Sequence, residues 1–302
     1  METIIRVNNL SKTFGEIVAV DDLSFTVEGG QVYGFLGQNG AGKSTTIRML
    51  LTLIEPTAGE IEIFGLNLKR HRKEILKRTG AIIEKPDLYK YLTAIENISI
   101  FSRLSGVKPS RQLIMNKLEM VGLAARATSK VRTYSQGMKQ RLGLACALVH
   151  DPDLIILDEP TNGLDPQGIA EMRNMIIHLS KDLGKTLLVS SHLLSEMEVV
   201  ANSMLIINKG RKVVEGNVQQ LLNPEKSVIE FITDERDAAV NFITQSEWAE
   251  YYKRKEGNTI RLEMEQKKIP ELNRQLVQKG IPVTAIRPVH SLEEYFLSQT
   301  KD

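Results

Sequence analysis

One short stretch, Gly37–Thr45, constrains the fold more than any other part of this sequence. Its three glycines precede a Lys-Ser pair at the spacing of a loop whose backbone amides surround phosphate groups. Such a loop requires a strand before it and a helix after it. The apolar Gln31–Leu36 and the helical pattern of Thr45–Leu53 supply both. The stretch therefore predicts an α/β fold that binds a nucleoside triphosphate.

The residues of this loop have distinct expected roles toward a phosphate chain and a metal ion. Glycine lets the backbone turn its N–H groups inward, and the start of the following helix adds partial positive charge. Lys43 is expected to hold the β- and γ-phosphates, and the Ser44 hydroxyl is expected to ligate Mg²⁺. The candidate nucleotide-binding residues of the loop are Gly37, Gln38, Asn39, Gly40, Ala41, Gly42, Lys43, Ser44 and Thr45.

Composition argues against several other classes of protein. The 302 residues include 25% charged side chains and give a formal net charge of +2, so no nucleic-acid partner is expected. No apolar stretch approaches the roughly 20 residues of a membrane-spanning helix. The N-terminal Met-Glu-Thr-Ile-Ile-Arg lacks the pattern of a signal peptide. Cys146, the only cysteine, is expected to be buried, and the cysteine count fits the cytoplasm.

Residues 1–222 are predicted to form an α/β domain with a mostly parallel sheet. Short alternating segments predict an antiparallel β part: Ile4–Val7, Ile17–Val20, Leu23–Val27 and Gly59–Phe64. Buried parallel strands are predicted at Leu154–Leu157 and Thr186–Val189, on either side of a helix begun by Pro166.

A helical insertion is predicted at about residues 88–150. Thr93 and Glu96 form a capping box for the helix Ala94–Leu104, and Ser110 caps a second helix that runs to Met120.

A second, small α+β domain is predicted for residues 226–302, because Asn223–Lys226 interrupts the preceding helix Val218–Leu222. Its predicted element order, βαββαβ, indicates a ferredoxin-like fold. The predicted elements are strand Val228–Ile232, helix Asp237–Ser246, strands Tyr251–Lys255 and Thr259–Met264, helix Ile269–Gln278 and strand Val283–Pro288, followed by an added helix Ser291–Ser298.

Two carboxylates, Asp158 and Glu159, end the apolar strand Leu154–Leu157 at the edge of the sheet where α/β proteins bind ligands. Asp158 is expected to reach the Mg²⁺ beside Ser44, directly or through water. Glu159 is expected to accept a proton from an attacking water. A plain helix cap is the alternative for this Asp-Glu pair, and the preceding phosphate loop favours the catalytic interpretation.

The polar segment Thr133–Leu142 places Ser135 at a helix N-cap with Gly137 just inside, which is another helix start suited to an anion. Five segments in this order resemble the ATP-binding-cassette (ABC) ATPases over residues 1 to about 222. They are Gly37–Thr45, Tyr134–Met138, Leu154–Glu159, Gly163–Asp165 and Ser191-His192.

The resemblance implies that two copies of the chain pair head to tail. Each ATP would lie between the phosphate loop of one copy and the family's signature segment, here Tyr134–Met138, of the other. Ser135, Gln136 and Gly137 would then contact ATP in trans. Lys43, Ser44, Asp158 and Glu159 match the phosphate, metal and general-base residues of the family. His192 matches the switch histidine, Phe14 the aromatic residue that stacks on adenine, and Asp165 the loop that links the two sites.

Glu84, in Ala-Ile-Ile-Glu-Lys-Pro, stands where most of the family carries a glutamine that contacts Mg²⁺ and water. A carboxylate can still ligate Mg²⁺, although an ionised one cannot donate a hydrogen bond. This glutamate is similar to that of the exporters responsible for bacitracin-type resistance and lantibiotic immunity, and the tail Ser291–Leu297 looks like theirs. A tolerated substitution in some other exporter is the alternative.

The principal hypothesis is an ATP-hydrolysing subunit that binds ATP and Mg²⁺ and dimerises. It would drive a separately encoded membrane permease from the cytoplasmic face of the cell membrane, expelling a peptide antibiotic. The alternatives are another cargo, such as sodium or a small drug, and a soluble cassette protein that acts on ribosomes or DNA. The last is disfavoured, because the chain has one cassette and no sustained heptads.

Overall fold

Apolar runs, one of which directly precedes the phosphate loop, form the buried strands of a central sheet. A computed structural model of the chain describes residues 2–222 and 227–289. The chain divides into two compact units, with the division falling after Gly216. This point lies a few residues before the boundary that the sequence predicted, so the helix Val218–Leu222 is grouped with the second unit.

The elements of the first unit alternate between strands and helices after an initial pair of long strands. They are β1 Thr3–Phe14, β2 Ile17–Glu28, β3 Val32–Leu36, α1 Lys43–Leu50, β4 Ala58–Ile63, β5 Leu66–Asn67, α2 Arg72–Lys77, β6 Thr79–Ile82, α3 Ala94–Leu104, α4 Arg111–Met120, α5 Gln136–Ala147, β7 Leu154–Leu157, α6 Pro166–Lys181, β8 Thr186–Ser191, α7 Leu194–Val200, β9 Ser203–Asn208 and β10 Arg211–Asn217.

The central sheet has the strand order β10-β9-β3-β8-β7-β6. Strand β3 pairs in parallel with β8 and β9, and β7 pairs in parallel with β8 and β6. Every residue of β3, β7 and β8 is buried, which explains why these strands are continuous apolar runs rather than alternating ones. Because the strands are parallel, the loops that follow β3, β6, β7 and β8 meet at one edge of the sheet.

A second sheet, with the order β2-β1-β4-β5, is antiparallel. The prediction of separate strands at Ile17–Val20 and Leu23–Val27 is wrong, because both belong to the single strand β2. The strand continues through a bulge, where Asn9 and Asp22 adopt left-handed backbone angles and the Asn9 side-chain amide donates to Asp22 Oδ1 at 2.7 Å. Pairing with β1 on both sides of Asp21-Asp22 keeps the strand intact.

Helix α1 begins and ends earlier than the predicted Thr45–Leu53. The loop completes its turn at Gly42, whose φ of 106° allows the Thr46 N–H to donate to the Gly42 carbonyl and start the helix at Lys43. The helix ends where Thr52 takes a left-handed φ of 59°.

The helical part of the first unit has a core of its own, which includes Ile98, Leu118 and Leu142. Helix α3 starts with the predicted capping box, since the Glu96 N–H donates to Thr93 Oγ1 and the Thr93 N–H donates to the Glu96 carboxylate. Cys146 lies buried in α5 as predicted, and burial raises the pKa of its thiol to about 12.

The second unit contains α8 Val218–Leu222, β11 Ser227–Ile232, α9 Arg236–Thr244, β12 Tyr252–Glu256, β13 Thr259–Met264, α10 Ile269–Gln278 and β14 Ala285–Val289. From β11 onward the order is βαββαβ, and the antiparallel sheet has the order β12-β13-β11-β14, so the predicted ferredoxin-like fold is confirmed. Its core includes Phe231, Trp248 and Leu272. The predicted break at residues 223–226 and helix Ser291–Ser298 lie outside the described residues.

Among the helices of residues 2–222 and 227–289, none combines the length and the apolar character needed to cross a membrane.

Candidate active site

A cleft of about 850 Å³ opens at the edge of the central sheet where the parallel strands end. It is bordered by the phosphate loop and α1, by the loops after β6 and β7, and by the start of α5. The residues used below that line it are Ser44, Arg48, Glu84, Gln136, Asp158 and Glu159. The cleft thus brings together Ser44, Glu84 and Asp158, which the sequence assigned to a metal ion, with Glu159, which it assigned to water.

The glycines at two positions of the phosphate loop are required by close packing. A Cβ on Gly37 would lie 2.7 Å from the Ile207 carbonyl oxygen, and one on Gly42 would lie 2.6 Å from the Ala19 carbonyl oxygen. Any other residue would therefore force β9 or β2 away from the loop. Strand β2 and the end of β9 hold the loop in the turn that precedes α1.

Lys43 is the first residue of α1, and its side chain is only 5% exposed. Its ammonium donates to the carbonyl oxygens of Gly37 at 2.6 Å and Gln38 at 3.2 Å. It also lies 3.1 Å from Glu159 Oε1. The loop is thus bent back over the ammonium, which fixes a positive charge at the centre of the loop.

Glu159 connects the phosphate loop with the loop after β8. Its Oε1 faces Lys43, and its Oε2 lies 2.8 Å from His192 Nδ1. Because a carboxylate can only accept, Nδ1 carries the proton of this bond and Nε2 faces elsewhere. Glu159 has a left-handed φ of 50°, a strained angle for a residue with a side chain, and its N–H donates to Ser190 Oγ at 2.8 Å. The arrangement holds a carboxylate in one orientation beside a lysine and an imidazole.

Asp158 is fully buried, and its two carboxylate oxygens differ. Oδ1 accepts a hydrogen bond from Ser190 Oγ at 2.6 Å, whereas Oδ2 has no hydrogen-bond partner among the described residues. A buried carboxylate oxygen without a partner is costly, and a hard divalent cation satisfies such an oxygen. With the Ser44 hydroxyl on the same cleft, the donor set fits Mg²⁺.

Glu84 follows β6 at the same edge of the sheet. Strand β6 is tied to β7 up to this point, since the Asp158 N–H donates to the Ile82 carbonyl at 2.9 Å. The Glu84 side chain is exposed, its backbone φ is 57°, and its Oε1 lies 2.6 Å from the guanidinium of Arg48 on α1. Glu84 therefore borders the cleft with an ion-pair partner that the sequence did not suggest.

The remaining predicted residues lie at the end of β1 and at the starts of α5 and α6. Phe14 ends β1, is 47% exposed and has the Lys12 ammonium 4.9 Å from its ring centre. Ser135 caps α5 by accepting from the Met138 N–H, and Asp165 caps α6 by accepting from the Gly168 N–H. The Ser135 cap is exposed, and the Asp165 cap is partly exposed.

The starts of α5 and α6 adjoin each other, because a Cβ on Gly137 would be 3.8 Å from Gly168 Cα. Of the signature residues, Gln136 reaches the cleft of its own chain, while Ser135 and Gly137 lie at the adjoining helix starts.

Sequence reasoning missed two groups that support the site. Ser190, at the end of β8, bonds both the Asp158 carboxylate and the Glu159 N–H. Glu196 on α7 is buried and accepts from the hydroxyls of Thr161 at 2.7 Å and Ser191 at 2.9 Å, so it joins the loop after β7 to the loop after β8. Ser190 could have been predicted from its position, because it is a hydroxyl residue at the end of a buried strand. No feature of the neighbouring sequence indicated a role for Glu196.

A parallel sheet that carries a phosphate loop and an Asp-Glu pair at one edge, beside an antiparallel sheet and a helical part, defines the nucleotide-binding cassette class of P-loop ATPases. The family model described as ABC transporter matches residues 20–162. A bacitracin transport ATP-binding protein of Bacillus licheniformis is 44% identical over 298 residues, which cover 98% of this chain and 97% of the relative. The chain belongs to the ABC transporter family, and it is an ATPase that binds ATP.

Two further proteins agree with this assignment. A lantibiotic transport ATP-binding protein of Streptococcus pyogenes is 39% identical over 226 residues, covering 73% of this chain and 96% of the relative. The solved ATP-binding cassette of an ABC transporter in its ADP conformation aligns with a TM-score of 0.67 and 23% identity, covering 74% of this chain and 96% of that structure. The predicted fold and the resemblance to the bacitracin and lantibiotic subgroup are confirmed, whereas the roles of individual residues stay predictions.

Proposed function

We propose that the chain is the ATP-hydrolysing subunit of an exporter that removes a peptide antibiotic from the cell membrane. It works at the cytoplasmic face of that membrane and drives a separately encoded permease. The bacitracin transport relative, which aligns along nearly the whole chain, supports this cargo. The resemblance of Glu84 to the glutamate of the bacitracin and lantibiotic exporters supports it as well. Residues 1–222 act as the nucleotide-binding domain, and residues 226–302 act as an accessory domain.

The cleft binds the triphosphate by the amides of the phosphate loop and by the ammonium of Lys43. Ser44, Asp158 and Glu84 would hold Mg²⁺, which would supply positive charge to offset that of the triphosphate. Glu159 accepts the proton of the attacking water, because its carboxylate is fixed between Lys43 and His192. His192 keeps that carboxylate oriented, and Lys43 offsets charge that develops on the phosphoryl oxygens.

The single observation that carries the proposal is the contact series from Lys43 through Glu159 to His192. Beside it, Asp158 Oδ2 has no hydrogen-bond partner within residues 2–222 and 227–289. A phosphate-binding cation, a base, an orienting imidazole and a metal ligand thus share one edge of the sheet. A structural helix cap would not require a buried carboxylate oxygen without a hydrogen bond.

The signature residues complete the site from a second copy. Ser135 and Gly137 sit at the start of α5, where N–H groups and the helix dipole favour an anion. Paired head to tail, each copy presents this helix start to the triphosphate in the partner's cleft.

The decisive experiment is Glu159→Gln. The variant binds ATP but lacks the base, so Mg–ATP should convert it from monomer to a stable dimer on a sizing column, with ATP turnover reduced at least about 10²-fold. Glu119→Gln, an exposed carboxylate of α4, is the control and should keep wild-type turnover. A variant that turns over ATP normally, or that stays monomeric with saturating Mg–ATP, would contradict the proposal.

The cargo is tested in cells that carry the chain with its permease. Protection against bacitracin and a lantibiotic should disappear with Lys43→Ala. Unchanged sensitivity to both peptides, with loss of sodium or small-drug efflux instead, would assign the ATPase to another cargo.

A further inference from the structure

An ion pair crosses one wall of the nucleotide cleft, between Arg48 on α1 and Glu84 in the loop after β6. The Arg48 guanidinium lies 2.6 Å from Glu84 Oε1, and both side chains line the cleft with Ser44 and Asp158. Arg48 is one helical turn beyond Ser44, so the two residues lie on the same face of α1. The guanidinium therefore reaches the carboxylate from the side of the cleft that carries Ser44.

The backbone that carries Glu84 is held from two sides. Parallel pairing of β6 with β7 fixes the chain as far as Ile82, and Pro86 lies so close to α5 that a Cβ on Gly143 would be 2.4 Å from the proline ring. The side chain beyond this fixed backbone is 63% exposed. Glu84 can consequently change its partner by rotating its side chain, without movement of the loop.

The strength of the pair favours such an exchange. With Arg48 43% and Glu84 63% exposed, the pair is worth a factor of about five at most in an equilibrium constant. A divalent cation attracts a carboxylate more strongly than one solvated guanidinium does. The pair is thus strong enough to offset the charge of Glu84 near Asp158 and Glu159, and weak enough to yield to a metal.

We propose that Arg48 is a positioning residue that competes with Mg²⁺ for the Glu84 carboxylate and so sets how strongly nucleotide binding depends on the metal. The inference deepens the proposed function, because it assumes that the cleft binds Mg–ATP. Without metal, Arg48 neutralises Glu84 and limits its repulsion of the triphosphate. With metal, Arg48 must release the carboxylate, and this cost lowers the gain in nucleotide affinity that Mg²⁺ provides.

The test measures the dissociation constant of a non-hydrolysable ATP analogue, adenylyl imidodiphosphate, for the full chain by calorimetry. Titrations are made in EDTA and in excess Mg²⁺. The dissociation constant in EDTA divided by the constant in Mg²⁺ is the gain in affinity that the metal provides. Arg48→Ala should raise this ratio about three- to tenfold, since binding weakens in EDTA and tightens in Mg²⁺. In the Glu84→Gln background, Arg48→Ala should change the ratio by less than about twofold.

Arg48→Lys keeps the charge at this position and should leave the ratio near that of the wild type. Arg48→Gln, which keeps much of the aliphatic stem, repeats the test if Arg48→Ala lowers the melting temperature. An equal change of the ratio in the wild-type and the Glu84→Gln backgrounds, or no change in either background, would overturn the inference alone. Absence of analogue binding by the folded wild-type chain would instead overturn the proposed function.

Discussion

At the scale of single residues, the cleft depends on carboxylates whose orientation is set by neighbours far away in the sequence. Glu159 is held by Lys43 and His192, and Asp158 by Ser190. Glu159 and Glu84 both adopt left-handed backbone angles, which non-glycine residues rarely do. Such strain is typical of functional sites, where surrounding structure imposes the geometry.

Ser190→Ala tests the support beneath the two carboxylates. Removing the hydroxyl leaves Asp158 Oδ1 and the Glu159 N–H without this partner, so the free energy of unfolding should fall by about 1–3 kcal/mol. ATP turnover should fall as well, because both carboxylates lose orientation. Urea denaturation and a phosphate-release assay measure the two effects. Ser195→Ala, at an exposed serine, should alter neither.

His150 should make stability depend on pH. Burial lowers its pKa from the usual value of about 6.5, although its Nε2 contacts the Thr79 carbonyl oxygen and Asp151 is nearby. As the pH falls below that value, the unfolded chain binds a proton that the folded chain resists, so the contribution of His150 to stability is lost. Between pH 8 and pH 5.5, the free energy of unfolding measured by denaturation should fall less for His150→Gln than for the wild-type chain. Parallel curves would contradict the assignment.

At the scale of elements, α5 links the signature segment to the loop that carries Glu84. Its Gly143 contacts Pro86, and the start of the helix adjoins the start of α6. The helix therefore lies against the loop that carries Glu84 and against the start of α6.

Gly143→Ala should disturb this contact. Replacing glycine with alanine normally favours a helix by about 0.5–1 kcal/mol, but crowding against a proline ring costs about 1–3 kcal/mol. We expect a net loss of stability and a shift of the Glu84 loop, seen as weaker Mg–ATP binding in calorimetry. The double variant Gly143→Ala/Pro86→Gly should recover affinity, because it removes the Cβ that the new methyl group meets. If the double variant did not recover Mg–ATP affinity, crowding against Pro86 would not be the cause of the loss.

The elements that the sequence predicted well are those with local signals. The capping box of α3 and the alternation of Thr259–Met264 each act within a few residues, and both elements were found with the predicted bounds. The bulge that keeps β2 continuous depends on pairing with β1, and the role of Glu196 depends on two loops distant in sequence. The residue types of the cleft could thus be predicted, whereas the contacts that orient them could not.

At the scale of the whole molecule, the chain has two units with separate cores. Every residue assigned to ATP lies in the first unit, and the second has its own buried cluster around Phe231 and Trp248. Units with separate cores can fold on their own.

Calorimetric unfolding should therefore show two transitions. Mg–ATP stabilises only a folded state that binds it, so at 100 times its dissociation constant it should raise the first-unit transition by the equivalent of about 2.7 kcal/mol. The second transition should not move. Intrinsic fluorescence of Trp248, the only tryptophan, identifies the second unit. A single transition that moves as a whole would mean that the two units unfold together.

The adjoining starts of α5 and α6 have a consequence for the dimer that we propose. The starts of α5 and α6, capped by Ser135 and Asp165, adjoin each other, so a partner copy that packs against one helix start is brought close to the other. A two-fold axis would repeat this contact at both clefts. Occupancy of one cleft would then alter the other, and ATP consumption should rise more steeply than the first power of nucleotide concentration.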